Sequence, residues 1–224
     1  MRLPRKALDA YNDAIVRQGA SAEQAARKAL AAWFKERPDA TVAETREFCI
    51  ALMREVGSLF GNVAGDAAYA LREAVAQVAG VELPSVDYVY EPEMEYVEKA
   101  AKYQVEKLKA GNVSEFVDAI ADAASYFAKR GANDTMAALG KADSRKLGDK
   151  VRFARVPTGA TTCPYCLMLA SRGFVYGSKL KALNANHRHC DCRIVMGFEG
   201  MVIEGYDPDL YYDMWKHPEK YGSG

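Results

Sequence analysis

Histidine is scarce in this chain: three in 224 residues, at positions 187, 189 and 217. Everything before His187 therefore lacks an imidazole, which removes most routes to His-based acid–base chemistry. A zinc deaminase needs His-x-Glu ahead of its Cys-x-x-Cys, and a zinc protease needs His-Glu-x-x-His; neither pattern occurs. Walker loop, nucleophile elbow and dinucleotide fingerprint are also missing. No enzyme activity and no small-molecule substrate are expected. Long apolar runs are lacking too: stretches such as Leu167–Ala170 fall far short of the ~20 residues that span a bilayer, so no membrane association is expected. The opening Met1-Arg-Leu-Pro-Arg-Lys leads into an amphipathic pattern rather than an apolar core, so no secretory leader is expected.

Net charge is absent overall, with 30 Lys/Arg against 30 Asp/Glu. It is unevenly spread: residues 141–193 hold eleven Lys/Arg against three Asp/Glu, a balance of +8. Such a segment permits contact with nucleic acid, whereas the plainer reading is a solvated surface or an acidic partner. Hydrophobic residues at 50% and charged residues at 27% describe an ordinary globular protein. Five cysteines is an odd number, and four of them cluster with histidine. Disulfides are the weaker reading, and synthesis in a reducing cytoplasm fits better. The fifth, Cys49, lies beside Phe48, Leu52 and Met53 and reads as a small core hydrophobe.

The pattern predicts a mainly α protein, with an N-terminal helical bundle followed by a small α+β, zinc-stapled C-terminal module. The expected divisions are an all-helical domain over 1–148, a zinc module with short strands over 149–200, and a tail with a short aromatic helix over 201–224. Leu8, Tyr11 and Ile15 form one apolar stripe, expected to end at Gly19. Capping boxes at Ser21–Gln24 and Thr41–Glu44 open two further helices. Gly61 and Gly65 are read as interruptions, and Gly80, Gly111 and Gly131 as stops. Val81–Pro92 reads as an extended connector. The carboxylates Glu91, Glu93, Glu95 and Glu98 sit at a helix start, where acids complement the dipole. Alanine at the helix faces allows close packing. Past Gly148, Val151, Phe153 and Val156 alternate with Arg152 and Arg155, which suggests a strand; Arg193–Met196 suggests another. Tyr211, Tyr212 and Trp215 fall on a short helix after Pro208, packed on the module or offered to a partner.

The chemistry is concentrated in thirty residues: Cys163-Pro-Tyr-Cys166, then His187-Arg-His189-Cys190-Asp-Cys192. This is the spacing of a structural zinc site, in which a knuckle grips one side of a tetrahedral ion and a second segment the other. The candidate ligands are Cys163, Cys166, His187, Cys190 and Cys192, with His189 less favoured. Which four of the five bind stays open. A disulfide pair, an iron–sulfur cluster and a Cys nucleophile with a His base are the alternatives. A closed site with no position for water favours structure over catalysis.

The segment from Arg155 to Tyr176, the run His187–Arg193 and the closing Glu204-Gly-Tyr-Asp-Pro-Asp-Leu-Tyr-Tyr-Asp-Met-Trp215 resemble the C-terminal part of tailed-phage minor head proteins. They are similar to the Mu-type head-morphogenesis group, and more closely to minor capsid proteins of actinobacterial phages and prophages. The resemblance covers residues 150–215. It implies a virion structural component, in few copies, at the portal or capsid interior, acting in head assembly or DNA delivery. It also implies structural Zn²⁺ as cofactor and portal or capsid proteins as partners, with packaged DNA near the basic residues 141–193. The protein would be made in the bacterial host cytoplasm and reside in the phage head. A stand-alone zinc-containing DNA-binding protein and a Cys-dependent hydrolase or nuclease are the other two classes.

Overall fold

The computed structural model describes residues 1–159, 162–177 and 191–221. Among them the chain is mainly helical: α1 (Arg5–Glu36), α2 (Val42–Ala79), α3 (Met94–Lys109), α4 (Val113–Leu147), α5 (Pro164–Ala170) and α6 (Pro208–Lys216). Two small sheets accompany them. β1 (Arg2–Leu3) runs parallel to β4 (Val202–Ile203), and β2 (Val151–Pro157) is antiparallel to β3 (Cys192–Phe198). No helix among the described residues is long and apolar enough to cross a membrane.

By contact the chain groups into two compact units. One holds Met1–Asp13, Ala67–Tyr88 and Asn133–Gly224; the other holds Ala14–Asp66 and Val89–Ala132. Residues 1–148 thus contribute to both.

The second unit is purely helical. Small side chains from four helices, Ala22, Ala26, Ala101, Ala121 and Ala124 among them, interleave with Leu30, Met53, Phe116 and Ile120 in one buried cluster. Cys49 belongs to it, fully buried, and burial pushes its thiol up to about 12. The expected halts at Gly19, Gly61, Gly65 and Gly131 do not occur; α1, α2 and α4 run through them. The capping box read at Ser21 lies in mid-helix for the same reason. The cause is packing. Tyr11, Ile15, Gly19, Ala22 and Ala26 form one unbroken buried stripe, so Gly19 continues the apolar face instead of ending it. A Cβ on Gly131 would sit 2.4 Å from the Gly61 carbonyl oxygen, so the two glycines mark where backbones touch. Glycines that do end helices differ in conformation: Gly80 and Gly111 have φ of +65° and +80°, with open space around them.

The other predicted capping box is present. Glu44 N–H donates to the Thr41 hydroxyl oxygen (3.2 Å), and Thr41 N–H donates to the Glu44 carboxylate (2.8 Å). The connector Val81–Pro92 is extended and irregular, as its prolines suggest. Its last part is fastened within the helical unit: the Asn62 side-chain amide accepts from Tyr90 N–H (2.8 Å) and donates to Tyr90 C=O (2.9 Å). The acidic run beyond it serves the surface, with Glu91 paired to Arg54, Glu93 to Arg130 and Glu95 to Lys99.

The first unit is α+β. The antiparallel β2–β3 pair is buried along nearly its whole length. Against it lies Gly140 of α4, where a Cβ would meet the Phe153 ring at 2.2 Å. Tyr176 extends β2 by one antiparallel bridge to Phe153, the only part of the strand-like Phe174–Tyr176 that pairs. Arg72 and Asp143 form a bidentate ion pair inside this unit, and Arg72 also donates to Pro84 C=O (2.7 Å).

Candidate metal centre

The knuckle forms because Cys163 takes an extended conformation before Pro164, whose missing N–H and fixed φ suit the first helical position. Cys163 is the N-cap of α5, and its sulfur accepts the backbone N–H of Cys166 at 3.4 Å. Cys166 then lies one turn into the helix, fully buried. Cys192 is the first residue of β3, opposite Pro157 in the antiparallel register, and is also buried. Packing of α5 on β2 brings Cys166 Sγ to 3.0 Å from Cys192 Sγ. Residues 155 and 157 share a strand face, so Arg155 stands diagonally across from Cys192. Its Nη2 donates to Cys192 Sγ at 2.8 Å, with the side chain fully enclosed.

Several polar contacts hold this assembly. Tyr176 O–H donates to Leu169 C=O (3.0 Å) and Tyr206 O–H to Ala170 C=O (2.5 Å), so two phenols satisfy the last carbonyls of α5. Burial pushes both phenols above their ordinary pKa, Tyr206 strongly. Asp207 caps α6 by accepting Asp209 N–H, and Pro208 follows at the first helical position. The Tyr206-Asp-Pro sequence is thus a clamp followed by a helix start. Tyr206→Phe removes this bond while Ala170 C=O keeps the Gly173 N–H at 3.3 Å, and is expected to lose about 0.5–1.5 kcal/mol, read as a lower denaturant midpoint. On the other side of the knuckle, Asp191 accepts from Gly159 N–H (3.2 Å) and the Thr162 hydroxyl (2.8 Å) through one carboxylate oxygen. Asn12 Oδ1 accepts Arg193 Nε at 3.0 Å and lies 2.9 Å from the Thr158 hydroxyl. Tyr11, enclosed nearby, has its phenol pushed well up by burial, against the opposing pull of Arg193 and Arg155.

Of the five predicted ligands, Cys166 and Cys192 converge, and Cys163 stands at the start of the same helical turn as Cys166. His187 and Cys190, together with His189, lie outside the described residues. Among the described residues no group of three or more ligand side chains converges, and no disulfide joins the cysteines. Two sulfurs on one tetrahedral zinc stand about 3.8 Å apart, and a disulfide needs about 2.0 Å. The observed 3.0 Å lies between them, about 1 Å from either. The described residues thus supply two buried sulfurs together and a third on the same knuckle, donors of the kind zinc takes, without a convergent set of three.

Sequence reasoning passed over Arg155, Asn12, Asp191 and Tyr206. For Arg155 a signal exists, because strand parity puts it with Val151 and Phe153 on the apolar face instead of with Arg152. Asn12 has no such signal; it reaches the site only because the N-terminal residues fold against the C-terminal ones. Burial of Arg155 and Arg193 also withdraws two of the eleven cations of the basic segment from any outward surface.

A mainly helical protein carrying a thiol-bearing α/β module is the class that this fold and site define. The family model described as VG15 protein matches residues 2–217, and the chain belongs to that family of phage gene products. No curated protein and no solved structure matches the chain.

Proposed function

We propose that this phage protein is a structural minor head, or minor capsid, protein of a tailed phage or prophage of the actinobacterial type. It acts in head assembly or at the portal and capsid interior, and a structural zinc staples its C-terminal module. The observation that carries this reading is the family match over residues 2–217, which takes in both the helical segments and the cysteine module. The resemblance of the knuckle, the His/Cys run and the Tyr-Asp-Pro tail to minor head proteins narrows it further. Cys163, Cys166 and Cys192, with His187 and Cys190, are the residues that would hold the metal. Zinc bound there contributes folding free energy, on the order of 10 kcal/mol, and a closed ligand set leaves no place for a reactive water. That favours a scaffold over a catalyst. The partners are portal or capsid proteins, and the protein resides in the virion.

The test is density-gradient purification of particles from the encoding phage or prophage, followed by mass spectrometry. The expected result is this chain at low copy number in the particle and bound to portal or capsid protein. Its absence from particles, together with salt-dependent binding to free DNA, would overturn the reading in favour of a stand-alone DNA-binding protein. For the metal, chelator-free protein is expected to hold about one zinc per chain, a stoichiometry read by elemental analysis. Chelation is expected to abolish part of the cooperative melt. No metal and an unchanged melt would sink the zinc assignment.

A further inference from the structure

We infer that the end of α4 and the turn after it form a ridge that binds the phosphate backbone of double-stranded DNA without reading its sequence. The groups that carry it are Lys141, Arg145, Lys146 and Lys150. The inference goes beyond the head-protein reading and draws on neither the metal nor the cysteines.

Several exposed cations of this chain stand beside carboxylates, as Arg54 does with Glu91, Lys99 with Glu95 and Lys109 with Glu106. The four at the end of α4 do not. All are exposed, and none makes an ion pair or hydrogen bond among the described residues. Lys141 and Arg145 lie on one helix face a single turn apart, about 6 Å along the axis. Asp143 between them is fully buried and paired with Arg72, so it offsets neither. Gly148, at φ +66° with open space around it, carries the chain from α4 towards β2, and Lys150 follows just before that strand. The adjoining carboxylates are Asp149 in the run itself and Glu199, next to the Val151–Phe198 pair. Two against four leaves the ridge cationic. Arg145 and Lys146 lie in the last turn of α4, where cations complement the carbonyl end of the dipole. Lys141 is a turn too early for that role, and Lys150 lies beyond the helix.

What the ridge lacks selects the partner. None of the exposed large hydrophobic side chains lies between residues 134 and 157. A protein partner would need apolar anchors at the centre of its interface, and none is offered on this segment. With no exposed aromatic ring there is no platform for unstacked bases, which disfavours a single strand. Residues 141–150 contain no Asn or Gln to read adenine, and lysine ammonium groups act as point charges. Charge without anchors or base readers suits a duplex, which presents one negative charge per about 1.7 Å of axis.

The experiment measures binding of the full chain to a short duplex of random sequence by fluorescence anisotropy, over a salt series. Four phosphate contacts give an expected log–log salt slope of about −3 to −4, or roughly 100-fold weaker binding between about 50 and 200 mM salt. Changing all four groups together (Lys141→Gln, Arg145→Gln, Lys146→Gln and Lys150→Gln) is expected to weaken binding by roughly 100-fold or more. The four side chains are exposed, so the thermal melt is expected to stay unchanged. If that protein does not fold, Lys141→Gln with Arg145→Gln, and Lys146→Gln with Lys150→Gln, carry the test as two double variants. Each is expected to reduce the slope by about 2. Arg46→Gln with Lys99→Gln removes two exposed cations elsewhere and is expected to leave the slope unchanged. Duplexes of different sequence are expected to bind alike, and the matching single strand more weakly. Duplex binding that survives the fourfold change, or a parent protein that binds no duplex at low salt, would overturn the inference. So would a preference for polyglutamate over duplex, which would mark an acidic protein as the partner. The chain found in phage particles but without DNA affinity would overturn this inference alone and leave the head-protein reading standing.

Discussion

Asp143→Ala is expected to destabilise the protein by about 3–5 kcal/mol, the largest single-residue loss among the ion pairs of the described residues. Asp143 is fully buried, and both its oxygens are engaged by Arg72, at 2.8 Å to Nε and 2.5 Å to Nη2. Removing the carboxylate leaves a guanidinium enclosed without its bidentate anion. The residual bond from Arg72 to Pro84 C=O is to a neutral acceptor and does not replace the charge. The surface pairs behave differently. Lys99–Glu95 and Arg46–Glu47 are mostly exposed, where solvent screens the attraction, so Glu95→Ala serves as the control. Denaturant titration of the three proteins checks the contrast. A further double variant, Arg72→Met with Asp143→Leu, is expected to recover much of the loss, since no buried charge is left unpaired. If Asp143→Ala and Glu95→Ala shift the midpoint equally, the buried pair is not what holds this unit.

Gly131→Ala is expected to cost about 3 kcal/mol, at the upper end for one added methyl group. Its Cβ would fall 2.4 to 2.7 Å from three backbone atoms of Gly61, and backbone cannot turn aside as a flexible side chain can. The two helices must separate, which loosens the alanine-rich packing around Ala124 and Ala128. Gly80→Ala is the instructive comparison. Its φ is +65° with nothing within 4 Å of the new methyl, so only the left-handed conformation is penalised, by about 1–2 kcal/mol. Thermal melts of the two variants separate close approach from backbone conformation. Equal effects would mean that the Gly61–Gly131 contact relaxes freely.

The same glycines explain why helix ends were only partly legible in the sequence. Gly80 and Gly111 end helices as expected, whereas Gly19, Gly61, Gly65 and Gly131 do not. A glycine supplies either a left-handed cap or room for a neighbouring backbone, and residue type alone does not say which. For Gly19 the answer was available locally, since the apolar stripe continues through it at helical spacing. For Gly61 and Gly131 it was not, because each is explained by the other, seventy residues away. The candidate site divides in the same way. The knuckle is local: Cys163, Pro164 and Cys166 build an N-cap, a first turn and a sulfur acceptor from four consecutive residues. Parity on β2 marked Arg155 as inward, but its partner lies on another strand.

By itself, the sequence determined what depends on spacing along one segment. That includes the helical character of the first half, the Thr41–Glu44 cap, the two strands around the module, the short helix after Pro208 and the Cys-x-x-Cys turn. Each follows from hydrogen bonds and side-chain periodicity within a few residues, which the order of residues specifies directly. Tertiary structure alone decided which distant groups meet. Cys166 against Cys192, Asn12 beside Arg193, Tyr206 on the end of α5 and Arg72 with Asp143 all join segments remote in sequence. The physical reason is that burial makes a polar or charged group seek a partner wherever the fold supplies one. That choice is fixed by packing of the whole core and not by neighbours in the chain.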